Sequence, residues 1–252
     1  MKKIIITSDK YSFCLDGLQK QMNKYWKEDN LGFTVLGFSR PRATLQDNFK
    51  FISAGPGITD RTPWRDALNP FFKTIDDDYF FLAFEDHYLI DDVNMVLLNK
   101  AIKIMETDPE VGKVRLLPKY NSPNDPRKLF NNLESYDDDF YLAPKVAGIH
   151  VQSSLRPSVW RKDFFMKLLN NPRTVTNPHN FETINNSVVF SEKVILPKQK
   201  YPIYPDIDAM RKGAPNGVTI THGHKPMNYY ELTLKAEDLG VFTDVRNKWT
   251  NR

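Results

Sequence analysis

The chain has 252 residues, enough for one sizeable core, and its 40% hydrophobic and 13% aromatic content excludes general disorder. Lys and Arg number 35 against 31 Asp and Glu, a net charge of +4 that suits an anionic small molecule as well as a nucleic acid and decides nothing between them. No apolar run reaches the roughly 18 residues of a membrane span.

In chain order, Met1-Lys2-Lys3-Ile4-Ile5-Ile6-Thr7-Ser8-Asp9 holds only three apolar residues between a basic pair and polar ones, too few for a signal-peptide core. It reads instead as a first buried strand, Lys2 to Thr7. A helix follows from Tyr11 to Trp26, carrying the lone Cys14 beside Leu15 and Leu18 on an apolar face, a poor setting for a thiol nucleophile. One cysteine forms no internal disulfide, so a reducing, cytoplasmic setting is expected. Gly32 to Phe38 is a second strand, ended by Ser39-Arg40-Pro41-Arg42, and Phe49 to Ser53 a third, closed by Gly55-Pro56-Gly57. Thr62-Pro63-Trp64 signals a helix with Thr62 as N-cap and Pro63 at its first position, running to about Lys73. Tyr79 to Phe84 is a strand buried on both faces, followed by a helix from Val93 to Glu106 and a strand from Val111 to Leu116. Such alternation predicts an α/β fold: a mostly parallel, Rossmann-like sheet flanked by helices.

Beyond Leu117 the pattern loosens. Pro118 to Pro126 is a loop, and Phe140 to Ala143 and Ala147 to Ser153 read as short strands around Pro144-Lys145. Pro157-Ser158-Val159-Trp160 leads into a helix ending near Leu169, and Asn180 is placed to cap a helix with Phe181 and Glu182 in its first turn. Val194 to Asn216 is extended, and Asn228 to about Leu239 is a terminal helix. With no repeat and no linker, residues 1–252 read as one domain, a ligand-binding half at 1–117 and a smaller elaboration at 118–252.

Five segments carry chemistry. The Tyr79 strand ends in Glu85-Asp86-His87, at the carboxyl end where open α/β sheets form their ligand crevice. Two acids and an imidazole there suit a divalent metal against a phosphorylated substrate, or else a capping turn for the next helix. Thr7-Ser8-Asp9 faces the same crevice, where Asp9 would bond a base or ribose and the hydroxyls phosphate, or the segment simply caps the following helix. Neither G-x-G-x-x-G nor a P-loop occurs, which disfavours the common dinucleotide and NTPase classes. In Thr221-His222-Gly223-His224-Lys225 an imidazole would close a metal site and Lys225 neutralise a diphosphate, unless this is an exposed loop. Ser154, Arg156 and Trp160 form a cluster suited to a sugar, with the alternative that Trp160 anchors a helix in the core. Glu182 near a helix start serves as a general base or as a charge favouring the helix dipole.

Taken in order, Ser8-Asp9, Trp64-Arg65, Tyr79 to His87, Arg156-Pro157 with Trp160-Arg161-Lys162, and Phe181-Glu182 resemble bacterial and viral GT-A glycosyltransferases over roughly residues 1 to 190, with an extension to His222. The resemblance implies a nucleotide-diphosphate-sugar donor, with Mn²⁺ or Mg²⁺ held where that family has a D-x-D motif. Glu85-Asp86-His87 departs from that motif. The implied metal ligands are Asp86, His87 and a late histidine, His222 or His224. Donor contacts fall on Thr7, Ser8, Asp9, Arg65, Glu85, Asp86 and Lys225, and acceptor contacts on Ser154, Arg156 and Trp160. Glu182 becomes the base of an inverting hexosyl or deoxyhexosyl transfer, retention being left open. The implied acceptor is a glycan or lipid-linked glycan, as in polysaccharide biosynthesis, with peripheral membrane contact and no transmembrane segment. Nucleic acid is not expected, since the basic residues are dispersed and Asp206 and Asp208 interrupt the Lys198 to Lys212 stretch. Two alternatives stay open: a non-catalytic nucleotide- or sugar-binding module on a degenerate scaffold, and a nucleotidyltransferase, for which Ser8-Asp9-Lys10-Tyr11 lacks a glycine-rich basic signature.

Overall fold

Apolar strands and amphipathic helices alternate through the first half of the molecule. The computed structural model describes residues 1–29, 31–59, 61–118, 133–145, 151–173, 175–199, 201–211, 214–215 and 234–250. The elements run β1 (Lys2–Ile6), α1 (Leu15–Tyr25), β2 (Phe33–Gly37), β3 (Phe49–Ser53), α2 (Trp64–Lys73), β4 (Tyr79–Phe84), β5 (His87–Leu89), α3 (Met95–Thr107) and β6 (Val111–Arg115). They continue with β7 (Phe140–Leu142), β8 (Ser158–Arg161), α4 (Lys162–Leu169), α5 (Pro178–Asn186), β9 (Lys193–Pro197), β10 (Asp206–Asp208), β11 (Met210–Arg211), β12 (Ala214–Pro215) and α6 (Leu239–Thr250).

Eight strands form one sheet in the order β3-β2-β1-β4-β8-β6-β9-β7. Strands β3, β2, β1 and β4 are parallel, as are β6 and β9, while β8 runs antiparallel between β4 and β6 and β7 antiparallel beside β9. This is the expected α/β, mostly parallel sheet with helices on both faces. The period of two along each strand divides its side chains between two cores. Ile5, Phe81, Ala83 and Val159 join α1, α3 and α6 on one face. Ile4, Ile6, Phe80, Leu82 and Trp160 join α2, α4 and α5 on the other. Phe80 through Ala83 are wholly buried, as their uninterrupted apolar run requires.

Several boundaries differ from expectation. Thr62 is not the cap of α2: Pro63 takes that position at φ −50°, ψ 133°, and Thr62 Oγ1 accepts from Thr59 N–H instead. The first amides of α2 are satisfied from another part of the chain, Trp64 N–H donating to Thr176 O and Arg65 N–H to Val175 O. Ser158 to Arg161 is a central strand, where a helix approach was expected, because Val159 and Trp160 each fill one of the two cores. Asn177, and not Asn180, caps α5, accepting from Asn180 N–H, which moves Glu182 out of the first turn. Within the expected Ala147 to Ser153 strand, residues 151–153 form a turn. Of the expected Asn228 to Leu239 helix, residues 228–233 lie outside the described residues; a short 3₁₀ turn, Ala236–Asp238, precedes a helix at Leu239–Thr250.

Helix α1 packs on β5 at a glycine. Gly17 lies against Tyr88, which is fully buried and whose hydroxyl donates to Cys14 O at 2.6 Å. A methyl group at position 17 would stand 2.6 Å from Tyr88 Cε2. Gly17→Ala should therefore destabilise by about 1–3 kcal/mol through overpacking, although alanine in an open helix would gain about 1 kcal/mol. Urea denaturation reads the balance, and a stabilised variant would contradict this seating of β5.

Candidate active site

The site is built where β1 and β4 end. Each is paired one residue further, Thr7 N–H donating to Leu36 O of β2 and Glu85 N–H to Ile6 O of β1, so both chains leave the sheet at the same level. Ser8 then turns onto Glu85: its N–H and its hydroxyl both donate to Glu85 Oε1, at 3.1 and 3.0 Å. Burial pushes the Glu85 carboxyl up to about 7, the Ser8 hydrogen bonds opposing the shift.

A second, two-stranded sheet completes the site. β5 and β10 pair antiparallel, placing Asp208 opposite His87 and Asp206 opposite Leu89. The strand period puts the carboxylates of Asp206-Ile207-Asp208 on one face. Together with His87 they offer three ligand atoms within 4.8 Å of one another, the group among the described residues with metal-binding geometry. Asp86 stands beside this group, its Oδ1 4.0 Å from His87 Nε2, as does Asp208 Oδ1 at the same distance. Of the expected set Asp86, His87 and His222, His87 belongs to this group, Asp86 stands beside it, and His222 lies outside the described residues.

The electrostatics of the group suit a cation. Asp206 is buried, and its Oδ2 has no hydrogen-bond partner among the described residues. Burial pushes the Asp206 carboxyl up to about 7, Arg156 opposing and Asp208 adding. Asp86 is raised well above the usual carboxylate range by burial first, then by Glu85 and Asp208. His87 is driven down to about 3 by burial, with Arg156 adding, so its ring is neutral. Phe84 N–H donates to His87 Nδ1 at 3.3 Å, which leaves the ring proton on Nε2 toward the two carboxylates. A cation on Nε2 would take that proton's place, the ring changing tautomer and giving up the long bond from Phe84. The carboxylate–imidazole donor set fits Mn²⁺ or Mg²⁺.

Arg156 enters the group from the loop before β8. Its guanidinium meets Asp208 with both Nη atoms, Nη1 to Oδ1 and Nη2 to Oδ2 at 3.1 Å, and Nη1 lies 3.6 Å from Asp206 Oδ2. Glu182 is held on the opposite side of the same loop, its Oε1 accepting from Leu155 N–H at 2.6 Å and its carbonyl from the Ser153 hydroxyl at 2.9 Å. The loop itself is fixed from below by Lys113 of β6. That amine is wholly buried, donates to Val151 O (3.0 Å) and to Ser154 O, and lies 4.3 Å from the centre of the Trp160 ring.

These residues share a cavity of about 650 Å³. Thr7, Ser8, Glu85, Asp86, His87, Ser154, Arg156, Glu182 and Asp208 line it with Tyr11, Phe38, Trp64, Phe84 and His179. Three expected contributors lie elsewhere. Asp9 accepts from Ser39 N–H and the Ser39 hydroxyl, both at 2.9 Å, and faces a neighbouring cavity of about 900 Å³ with Arg40, Arg42 and Lys248. Arg65 is not among the lining residues and pairs with Asp66 at 3.3 Å. Trp160 offers no sugar platform, because its indole is wholly buried against Phe164, Phe165 and Phe181. Lys225 lies outside the described residues. From sequence Asp206 and Asp208 read only as acids interrupting a basic stretch, although Asp206-Ile207-Asp208 is itself an Asp-x-Asp, and Lys113 is not singled out.

No protein-family model and no curated protein matches this chain. Among solved structures, it is similar to the GT-A glycosyltransferases TarS and LgtC at low identity. The likeness to S. aureus TarS 1-349 has a TM-score of 0.44 at 15% identity, over 78% of this chain and 58% of that one. TarS 1-349 is also seen in complex with UDP and with UDP-GlcNAc. For the galactosyltransferase LgtC in complex with donor and acceptor sugar analogs the TM-score is 0.41 at 12% identity, over 80% and 74% of the two chains. A cytidylyltransferase from Leptospira borgpetersenii serovar Hardjo-bovis gives 0.47 at 10% identity, over 99% and 94%. The chain therefore spans little more than half of the TarS 1-349 structure. No described helix is long and apolar enough to cross a membrane.

Burial holds the Lys113 amine well below its ordinary value, Arg115 adding to the shift and Glu182 opposing it. The unfolded chain thus binds a proton that the folded chain does not. Stability from this group rises with pH up to the ordinary lysine value of about 10.4 and is lost as pH falls. Lys113→Met should cost about 1–3 kcal/mol at neutral pH by leaving the two loop carbonyls without donors. The deficit should widen as pH is raised from about 7 to 10. Urea denaturation across that range checks this, and a deficit independent of pH would contradict a neutral Lys113.

Proposed function

We propose that the cavity binds a nucleotide-diphosphate sugar and transfers its hexosyl or deoxyhexosyl group, with inversion, to a hydroxyl of a glycan or lipid-linked acceptor. The observation that carries this reading is the meeting of a cation-competent acid group, a guanidinium and a separate carboxylate, Glu182, in one aromatic-walled cavity at the carboxyl ends of β1 and β4. In this reading His87, Asp206 and Asp208 hold Mn²⁺ or Mg²⁺, with Asp86 beside them. The ion would supply positive charge against the departing nucleoside diphosphate. Arg156 supplies a further positive charge from the protein. Ser8, by fixing Glu85, holds the turn between β4 and β5 that carries Asp86 and leads into His87. Glu182 takes the proton from the acceptor hydroxyl, its orientation set by Leu155 N–H. Tyr11, Phe38 and Trp64 form an apolar wall of the cavity.

A panel of nucleotide sugars, tested by thermal shift and slow donor hydrolysis with and without Mn²⁺, should single out one nucleotide family. Glu182→Gln should then lower transfer by about 10²- to 10⁴-fold while donor affinity holds within about twofold. A chain that binds no nucleotide sugar, or a Glu182→Gln enzyme of undiminished turnover, would end this reading.

A further inference from the structure

The acid group of β10 already contains a positive charge of the protein's own. Arg156 grips both oxygens of Asp208 and reaches toward Asp206 Oδ2, the buried oxygen that no hydrogen bond satisfies. A divalent ion held by His87, Asp206 and Asp208 needs an oxygen from each of the same two carboxylates. Two positive charges on the same pair of carboxylates would repel each other at short range.

The geometry also says which of the two can leave. The main chain of Arg156 is fixed at both sides: its carbonyl accepts from the Ser158 hydroxyl at 2.7 Å, and its N–H reaches Ser154 Oγ at 3.4 Å. The side chain, by contrast, is 37% exposed and lines the cavity. It can swing about a fixed backbone, whereas Asp206 and Asp208 are locked in register with Leu89 and His87.

We propose that Arg156 is the resident counter-cation of this site, that a divalent ion displaces it from Asp208, and that the displaced guanidinium turns into the cavity to bind phosphate. The site is thereby ordered: the ion enters first, and only then does the protein present its phosphate-binding arginine. Cation and diphosphate become coupled ligands through one side chain. The exchange itself depends only on the cation site, and its phosphate limb rests on the nucleotide-sugar reading.

The test titrates the full chain with Mn²⁺ alone, followed by calorimetry or by the spin-resonance signal of the free ion, in wild type, Arg156→Gln, Arg156→Lys and Asp208→Asn. Removing the competing guanidinium should tighten Mn²⁺ binding by about five- to tenfold in Arg156→Gln. Arg156→Lys, with a point charge in place of the two-pronged grip, should fall between it and wild type. Asp208→Asn should lose binding. With inorganic pyrophosphate as the second probe, Arg156→Gln should change affinity little without Mn²⁺ and weaken it about tenfold at saturating Mn²⁺. Unchanged or weaker Mn²⁺ binding in a folded Arg156→Gln, judged by near-ultraviolet circular dichroism, would overturn the proposal. So would the absence of Mn²⁺ binding in every variant. Should Arg156→Gln fail to fold, Arg156→Lys carries the same comparison. Tightened Mn²⁺ binding without recognition of any nucleotide sugar would uphold the exchange and defeat the proposed function. A sugar transfer indifferent to the Arg156 variants' Mn²⁺ affinity would do the reverse.

Discussion

Asp208 stands opposite His87 because β5 and β10 pair in one register, and the chemistry of the molecule depends on that pairing. The two residues are 121 positions apart in sequence, so no local preference brings them together. The pairing is held by the apolar interior around it. Tyr88, between His87 and Leu89, is buried under α1 with its hydroxyl on Cys14 O. The Tyr204 hydroxyl donates to His87 O at 2.9 Å, and Ala209 N–H to Asp86 O at 2.7 Å. A one-residue slip would turn Asp206 and Asp208 to the other face and put Ile207 in their place. The acid cluster exists because the aromatic core around Tyr88 and Tyr204 does not tolerate the slip.

The opposite wall of the cavity obeys a different constraint. It is made of loops, and loops need their polar backbone groups satisfied. Lys113 reaches up from β6 to the carbonyls of Val151 and Ser154, and Glu182 takes the Leu155 N–H. The first amides of α2 find Val175 and Thr176, next to the Asn177 cap of α5. Each of these contacts does structural work at the same atoms that shape the site. Glu182 illustrates the point: one carboxylate oxygen anchors the loop carrying Arg156, so the residue proposed as base also fixes the position of the arginine across the cavity.

What could be read from the sequence follows the range of the interactions involved. Tyr79–Phe84 was legible to the residue because burial on both faces leaves an unbroken apolar run, and Phe49–Ser53, an edge strand with Lys50 and Ser53 exposed, because Gly55-Pro56-Gly57 closes it. The crevice position of Ser8, Glu85, Asp86 and His87 followed from the general rule for strand ends. β8 escaped because it is four residues long and preceded by Pro157, so its local signal is that of a helix approach. Its strand character comes from β4 and β6 on either side. Asp206-Ile207-Asp208 escaped for a related reason. Set among prolines and lysines it reads as solvated charge, and only its long-range pairing with β5 reveals a buried acid face. Lys113 reads as an ordinary solvated lysine within Val111–Arg115, and its burial is a property of the loop that covers it.

The same long-range pairing explains why an arginine lies in the acid group at all. Folding buries Asp206 beside Asp208, and desolvation, with the Asp208 charge adding, raises the proton affinity of the Asp206 carboxyl. A nearby cation opposes that rise and lets the buried carboxylate keep its charge. Arg156, on a loop fixed independently through Lys113 and Glu182, provides that positive charge in the folded chain while remaining the most exposed member of the group. A charge that stabilises the apoprotein from a partly exposed side chain is one that a stronger cation can replace without unmaking the fold. Structural neutralisation and readiness for a ligand are then two consequences of the same residue placement.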